Sequence, residues 1–165
     1  MINTLFTVSA ASAAETEASG ARLARTLIPA LEKDGFALVA LSGELGAGKT
    51  AFTRGLVSVF SEDAYVHSPS YTIVNEYKGF LPSGRKLTVA HFDVWRLKTE
   101  DDLYSVGYFD WFPYGGTASG AAVLMAVEWC GSVPGAMPDE CWRADIEGSG
   151  ESVRRITVSR VEGGK

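Results

Sequence analysis

Cysteine is scarce. The 165 residues hold two, Cys130 and Cys141. That is too few for a disulfide scaffold, and neither lies in a C-x-x-C arrangement, so zinc and thiol-redox chemistry have no support. Both are expected as small buried hydrophobes in a reducing compartment. No apolar run approaches the roughly 18–20 residues that a membrane helix requires, so a spanning helix is excluded. The start, Met1-Ile2-Asn3-Thr4-Leu5-Phe6, lacks a basic segment, and the Ala-rich stretch after it carries Glu15 and Glu17. It does not read as a secretory signal, and a cytoplasmic protein is expected. Positive charge is also short. Against 20 Asp+Glu stand 15 Lys+Arg, a formal net charge of −5, whereas a chain that grips a polynucleotide unaided carries a basic surplus.

What is present suits one packed domain spanning 1–165: 46% of residues are hydrophobic and 21% charged. Leu5-Phe6-Thr7-Val8 reads as a short first strand. Ser12 and Glu15 have capping-box spacing, with Glu15 expected to reach back to Ser12. The helix that follows is predicted to run to about Lys33, with Leu23, Leu27 and Leu31 inward and Asp34-Gly35 as its stop. Phe36–Leu41 has the pattern of a strand buried on both faces. A helix from about Lys49 to Phe60 puts Phe52, Leu56 and Phe60 on one side. Tyr71–Tyr77 and Leu87–Val94 are predicted to pair across a turn at Gly79, Pro82 and Gly84. One or two short helices broken at Gly107 follow, then a flexible connector at 115–120 and a buried strand from Ala121 to Val127. A closing hairpin joins 144–147 to 155–161 through a loop at 148–150. The expected class is α/β, a mixed sheet with a parallel core and antiparallel hairpins, flanked by helices.

Between the second strand and the second helix lies Gly43-Glu44-Leu45-Gly46-Ala47-Gly48-Lys49-Thr50, a complete G-x-x-x-x-G-K-[ST]. Glycines let successive backbone N–H groups curl inward around phosphate oxygens, and the following helix offers its positive end to the same anion. Lys49 supplies a cation for β- and γ-phosphates, and the Thr50 hydroxyl can ligate Mg²⁺. With Ala51, these residues form the expected nucleotide-binding segment of a P-loop NTPase-like fold. Neither asparagine, Asn3 or Asn75, begins the N-K-x-D element of guanine-specific members, so ATP is favoured. Asp145-Ile146-Glu147-Gly148 spells D-x-x-G, but it stands far along the chain in the closing hairpin and reads as coincidence.

A P-loop hydrolase needs an acid at the end of a second buried strand. Glu128, after Ala122–Val127, and Asp93, within His91-Phe92-Asp93-Val94-Trp95-Arg96-Leu97, both satisfy that demand. Sequence leaves open which holds metal and which orients water. His91 alternates with Asp93 on one strand face, a position where histidine is more often structural than catalytic. Trp129, directly after Glu128, is placed to wall the nucleotide site. The other tryptophans are expected in core or interface packing, and Arg54 and Arg96 fit either an arginine finger or structural ion pairs.

Taken together, the P-loop, Ser68-Pro69-Ser70-Tyr71-Thr72, the His91–Leu97 block and Val127-Glu128-Trp129 resemble, in order and spacing, the TsaE (formerly YjeE) family over about Ser12 to Val158. The resemblance implies a P-loop ATPase that supports a TsaB–TsaD complex in transferring threonylcarbamoyl to tRNA adenosine 37, with tRNA contacted chiefly through those partners. It implies Lys49 as phosphate ligand, Thr50 and Glu128 as Mg²⁺ positions and Asp93 as an acid linked to hydrolysis. Ser68–Thr72 corresponds to a switch-like loop, and residues near Ser12 and Arg154 correspond to positions approaching the nucleotide. Ser70 stands where that family usually has Thr, and Trp95 where it usually has Tyr. Cys130–Pro134 is shorter than the usual charged stretch. The rival readings are a small-molecule kinase, against which the absence of arginine from residues 98–120 argues, and an ATP-gated adaptor without turnover.

Overall fold

A computed structural model of the chain describes residues 1–113, 120–148 and 152–164. The chain forms β1 (Ile2–Ala10), α1 (Ala13–Asp34), β2 (Phe36–Ser42), α2 (Lys49–Ser58), β3 (Val74–Phe80), β4 (Lys86–Asp93), α3 (Glu100–Ser105), β5 (Ala122–Glu128), β6 (Cys141–Gly148) and β7 (Arg154–Val161). Short 3-10 turns occupy Tyr108–Trp111 and Cys130–Ser132. All seven strands join one sheet in the order β1-β7-β6-β2-β5-β4-β3. The central strands β6, β2, β5 and β4 run parallel, while β1, β7 and β3 are added antiparallel.

The two faces of β2 explain its unbroken apolar run. Ala37, Val39 and Leu41 enter the core beneath α1 and α2, whereas Leu38 and Ala40 enter a second core shared with α3 and the Tyr108 turn. Burial on both faces removes the alternation that a half-exposed strand would show. Leu23, Leu27 and Leu31 are fully buried at their four-residue spacing on α1, beside Phe52 and Leu56 of α2. The two helices approach closely because they meet at glycines. A Cβ at Gly55 would lie 1.8 Å from the carbonyl oxygen of Glu17.

Local signals set most of the ends. The Ser12 hydroxyl accepts the Glu15 N–H at 3.2 Å, and Gly35, in the left-handed region, donates its N–H to the Leu31 carbonyl. The Glu15 carboxylate reaches one residue further back than expected, to the Ala11 N–H. The short helix α3 begins in a full capping box between Thr99 and Asp102, and Gly107 separates it from the Tyr108 turn.

The β3 boundaries depart from expectation. The segment from Tyr71 does not enter the sheet at once, because the Ile73 N–H bonds back to the Pro69 carbonyl and Ile73 sits at φ 69°. Pairing begins only with Val74 opposite Phe92. At the other end Gly79 lies inside β3 rather than in the turn: a Cβ there would fall 2.3 Å from the Phe60 carbonyl oxygen. Its role is to let the chain after α2 pass close to the sheet. The turn itself spans Leu81–Arg85, closed by the Gly84 N–H on the Leu81 carbonyl. Residues 115–119 of the connector expected at 115–120, and residues 149–150 of the loop expected at 148–150, lie outside the described residues. Cys130 and Cys141 are free and buried, as expected. No helix among the described residues is long and apolar enough to cross a membrane.

Candidate functional site

Parallel strands deliver their carboxyl ends to one edge of the sheet, and the site is built there. At the end of β2 the chain turns through Gly43, where a Cβ would meet the Ile146 carbonyl oxygen of β6 at 2.5 Å. Only glycine fits that crossing. The loop closes with the Ala47 N–H on the Glu44 carbonyl, and α2 starts from Gly48 (φ 111°) with no side-chain cap among the described residues. Its first N–H groups therefore remain available to an anion.

Lys49 is 5% exposed. Its ammonium donates to the Gly43 and Glu44 carbonyls at 2.6 and 3.1 Å and lies 4.5 Å from the centre of the Trp129 ring. Burial pulls this amine below its ordinary 10.5, against the opposing attraction of Glu128, Asp93 and Glu44. Facing it, β4 and β5 end side by side, with Asp93 in register with Glu128. Both carboxylates are buried, at 8% and 4% exposure.

Lys49, Thr50, Asp93, Glu128 and Trp129 line one cleft of about 210 Å³, together with Leu45, Gly46, Gly48, Ser68 and Ser70. Three blocks far apart in sequence thus meet the P-loop. The loop from Ser68 is tied to the acid: the Ser70 hydroxyl donates to Asp93 Oδ2 at 3.0 Å and lies 2.7 Å from the Ser68 hydroxyl. Asp93 Oδ1 accepts the Trp95 N–H at 3.0 Å. Within the same segment Pro69 accepts the Ile73 N–H. Thr72 bonds Asn75 at 2.7 Å, and Tyr71 projects outward under Arg96.

Trp129 adopts a left-handed backbone (φ 62°), rare for a bulky residue and costly enough to mark a site where geometry is over-determined. Trp95 is 60% exposed, with its ring 4.4 Å from that of Trp129. It flanks the cleft rather than packing in the core. Arg54 is paired with Glu17 at 2.9 Å, and neither it nor Arg96 lines the cleft.

A second cavity of about 190 Å³ adjoins the outer side of the P-loop, lined by Gly46, Ala47, Gly48 and Ala51 with Ser12, Thr16 and Arg154. Arg154 is anchored there by donating to the Ala47 carbonyl at 3.2 Å. Thr16 carried no sequence signal, because only the packing of α1 against α2 brings it beside Gly48. A third cavity, of about 510 Å³, lies beyond Gly43 and Glu44 and is bordered by Trp129, Met137, Arg143 and Ile146–Gly148. The D-x-x-G stretch is therefore close to the P-loop in space. Its Asp145, however, is engaged with Arg143 at 2.9 Å.

No group of three or more His, Cys, Asp or Glu able to enclose a metal occurs among the described residues. The donors present, a P-loop hydroxyl and one or two strand-end carboxylates, instead fit Mg²⁺, which keeps several waters and shares itself with phosphate oxygens.

Residues 10–156 match the family model described as Threonylcarbamoyl adenosine biosynthesis protein TsaE. The chain belongs to the TsaE family. It is 35% identical over 136 residues to the tRNA threonylcarbamoyladenosine biosynthesis protein TsaE of Bacillus subtilis, covering 82% of this chain and 76% of that one. The TsaE protein of Treponema pallidum is 30% identical over 134 residues, 81% of this chain and 89% of its own. That of Haemophilus influenzae is 35% identical over 102 residues, 62% of this chain and 57% of its own. The crystal structure of Bacillus subtilis YdiB shares the fold, with a TM-score of 0.63 at 24% identity, covering 98% of this chain and 88% of that one. TsaE-family membership and the mixed α/β fold agree with what the sequence blocks implied.

Proposed function

We propose that this chain binds Mg·ATP in the cleft between α2, β4 and β5, hydrolyses it slowly alone, and supports a TsaB–TsaD complex in threonylcarbamoyl modification of tRNA adenosine 37 in the cytoplasm. The observation that carries the proposal is the convergence of Lys49, Thr50, Asp93 and Glu128, from three separate sequence blocks, on one cleft at the start of α2. A family role in threonylcarbamoyladenosine biosynthesis supports the pathway.

In this account the P-loop N–H groups and the Lys49 ammonium hold the phosphates, and Ser12, Thr16 and Arg154 border the space for the rest of the nucleotide. Thr50 and Glu128 would hold Mg²⁺, which when bound neutralises charge on the β- and γ-phosphate oxygens. Asp93, already a hydrogen-bond acceptor on both oxygens, orients the attacking water, and Trp129 shields the cleft. No arginine among the described residues lines the phosphate cleft, so turnover is slow until a partner supplies charge or orders the Ser68–Thr72 loop. Exposed Leu45, Tyr71 and Trp95 around the cleft form an apolar rim suited to a protein partner. The net charge of −5 argues for tRNA contact through such partners.

The test is depletion of the protein in its host, with mass-spectrometric quantification of threonylcarbamoyladenosine in bulk tRNA. A fall in the modification is expected; an unchanged level removes the pathway assignment. In vitro, equal ATP turnover with and without TsaB–TsaD would contradict the partner dependence.

A further inference from the structure

His91 is completely buried, and its Nε2 lies 2.9 Å from Glu128 Oε1. The same face of β4 that carries Leu87 and Val89 into the helix-covered core carries His91 and then Asp93 at its carboxyl end. An apolar side chain would fill this position at lower cost. Burying an imidazole here leaves Nδ1 without a hydrogen-bond partner among the described residues, and an unsatisfied buried polar atom is destabilising. What the histidine provides in return is a single bond to the carboxylate.

We propose that His91 is a positioning residue for Glu128, an inference that rests on the metal role proposed for Glu128. A carboxylate accepts, so Nε2 carries the proton and donates it to Oε1. That fixes the rotation of the carboxylate. No other hydrogen bond to this carboxylate is made among the described residues, so Oε2 is the oxygen left for Mg²⁺ or its water. Groups that orient a metal-binding side chain tune affinity without touching the ion.

The experiment compares wild type with His91→Leu, which removes the donor, and His91→Gln, whose amide N–H can replace it. Calorimetry measures ADP affinity in EDTA and Mg²⁺ affinity at saturating ADP. NMR of the imidazole nitrogens reports the His91 tautomer in metal-free protein. We expect His91→Leu to weaken Mg²⁺ binding about 10- to 100-fold with ADP affinity in EDTA unchanged, and His91→Gln to recover most of the loss. The Nε2–H tautomer should be seen in wild type, with its signal moving in Glu128→Gln.

Wild-type Mg²⁺ affinity in His91→Leu, an equal fall in EDTA, or a Gln variant no better than Leu would overturn the proposal. If His91→Leu does not fold, the Gln variant and the tautomer still decide, and a proton on Nδ1 refutes it. Wild-type protein that binds no ADP at all would instead overturn the nucleotide-binding account on which this inference stands.

Discussion

Replacing Ser70 by Ala deletes the hydroxyl that ties the Ser68–Thr72 loop to Asp93 at 3.0 Å. A hydrogen bond to a charged group contributes roughly 1.5–3 kcal/mol. Asp93 is 8% exposed, but the bond is only partly buried and Oδ1 keeps its Trp95 N–H, which places the loss near the lower end, about 1.5–2 kcal/mol. For a chain of this size that lowers Tm by about 3–8 °C. Ser70→Thr retains the hydroxyl and should stay near wild type. The decisive assay is a double-mutant cycle with Asp93→Asn by urea unfolding, in which the combined loss should fall short of the sum by about 1 kcal/mol or more. Additivity within about 0.3–0.5 kcal/mol would refute the claim that Ser70 and Asp93 form one unit.

Three further outcomes are expected. The charged form of Lys49 is the one that grips phosphate, so ADP affinity should fall as pH rises through a value below the ordinary 10.5, whereas an affinity flat to that point would show an unperturbed amine. On stability the same group has the opposite sign: between its lowered value and the unfolded one the unfolded chain binds more protons, so its contribution grows with pH. Gly55→Ala, which would push a Cβ to 1.8 Å from the Glu17 carbonyl oxygen, should cost at least about 1–3 kcal/mol; a neutral effect in denaturant unfolding would contradict the close helix contact. The Cys130 thiol is pushed up to about 12, chiefly by burial, so it should resist iodoacetamide in the native state and react on unfolding; rapid native alkylation would contradict its placement.

The legible parts of this fold are those governed by local chemistry. Ser12 and Gly35 mark the ends of α1, and the unbroken runs at β2 and β5 announce strands covered on both faces. Less legible were features imposed by neighbours far along the chain. Gly79 looks like a turn residue until the Phe60 carbonyl is found against it. Ile73 holds a positive φ that no β-branched residue favours, because its amide and carbonyl are held by Pro69 and Asp93. Pro29 lies inside α1, which continues through it to Asp34, close to the end expected at Lys33, with Leu27 and Leu31 fully buried on either side.

The meeting of Lys49 and Thr50 with Asp93 and Glu128 was readable because these residues start a helix or end a strand, where parallel topology must gather them, whereas the Ser68–Thr72 loop does neither. Thr16 and the bond from His91 to Glu128 were not, since both depend on packing between elements rather than on spacing within one.

Calorimetric titration of the folded wild-type chain and of Lys49→Ala with Mg·ATP bears most directly on the proposed site. Saturable heat in the wild type, lost or strongly weakened in the variant, is the expected result. No heat in the wild type, or a variant that binds as tightly, would contradict phosphate binding by this loop.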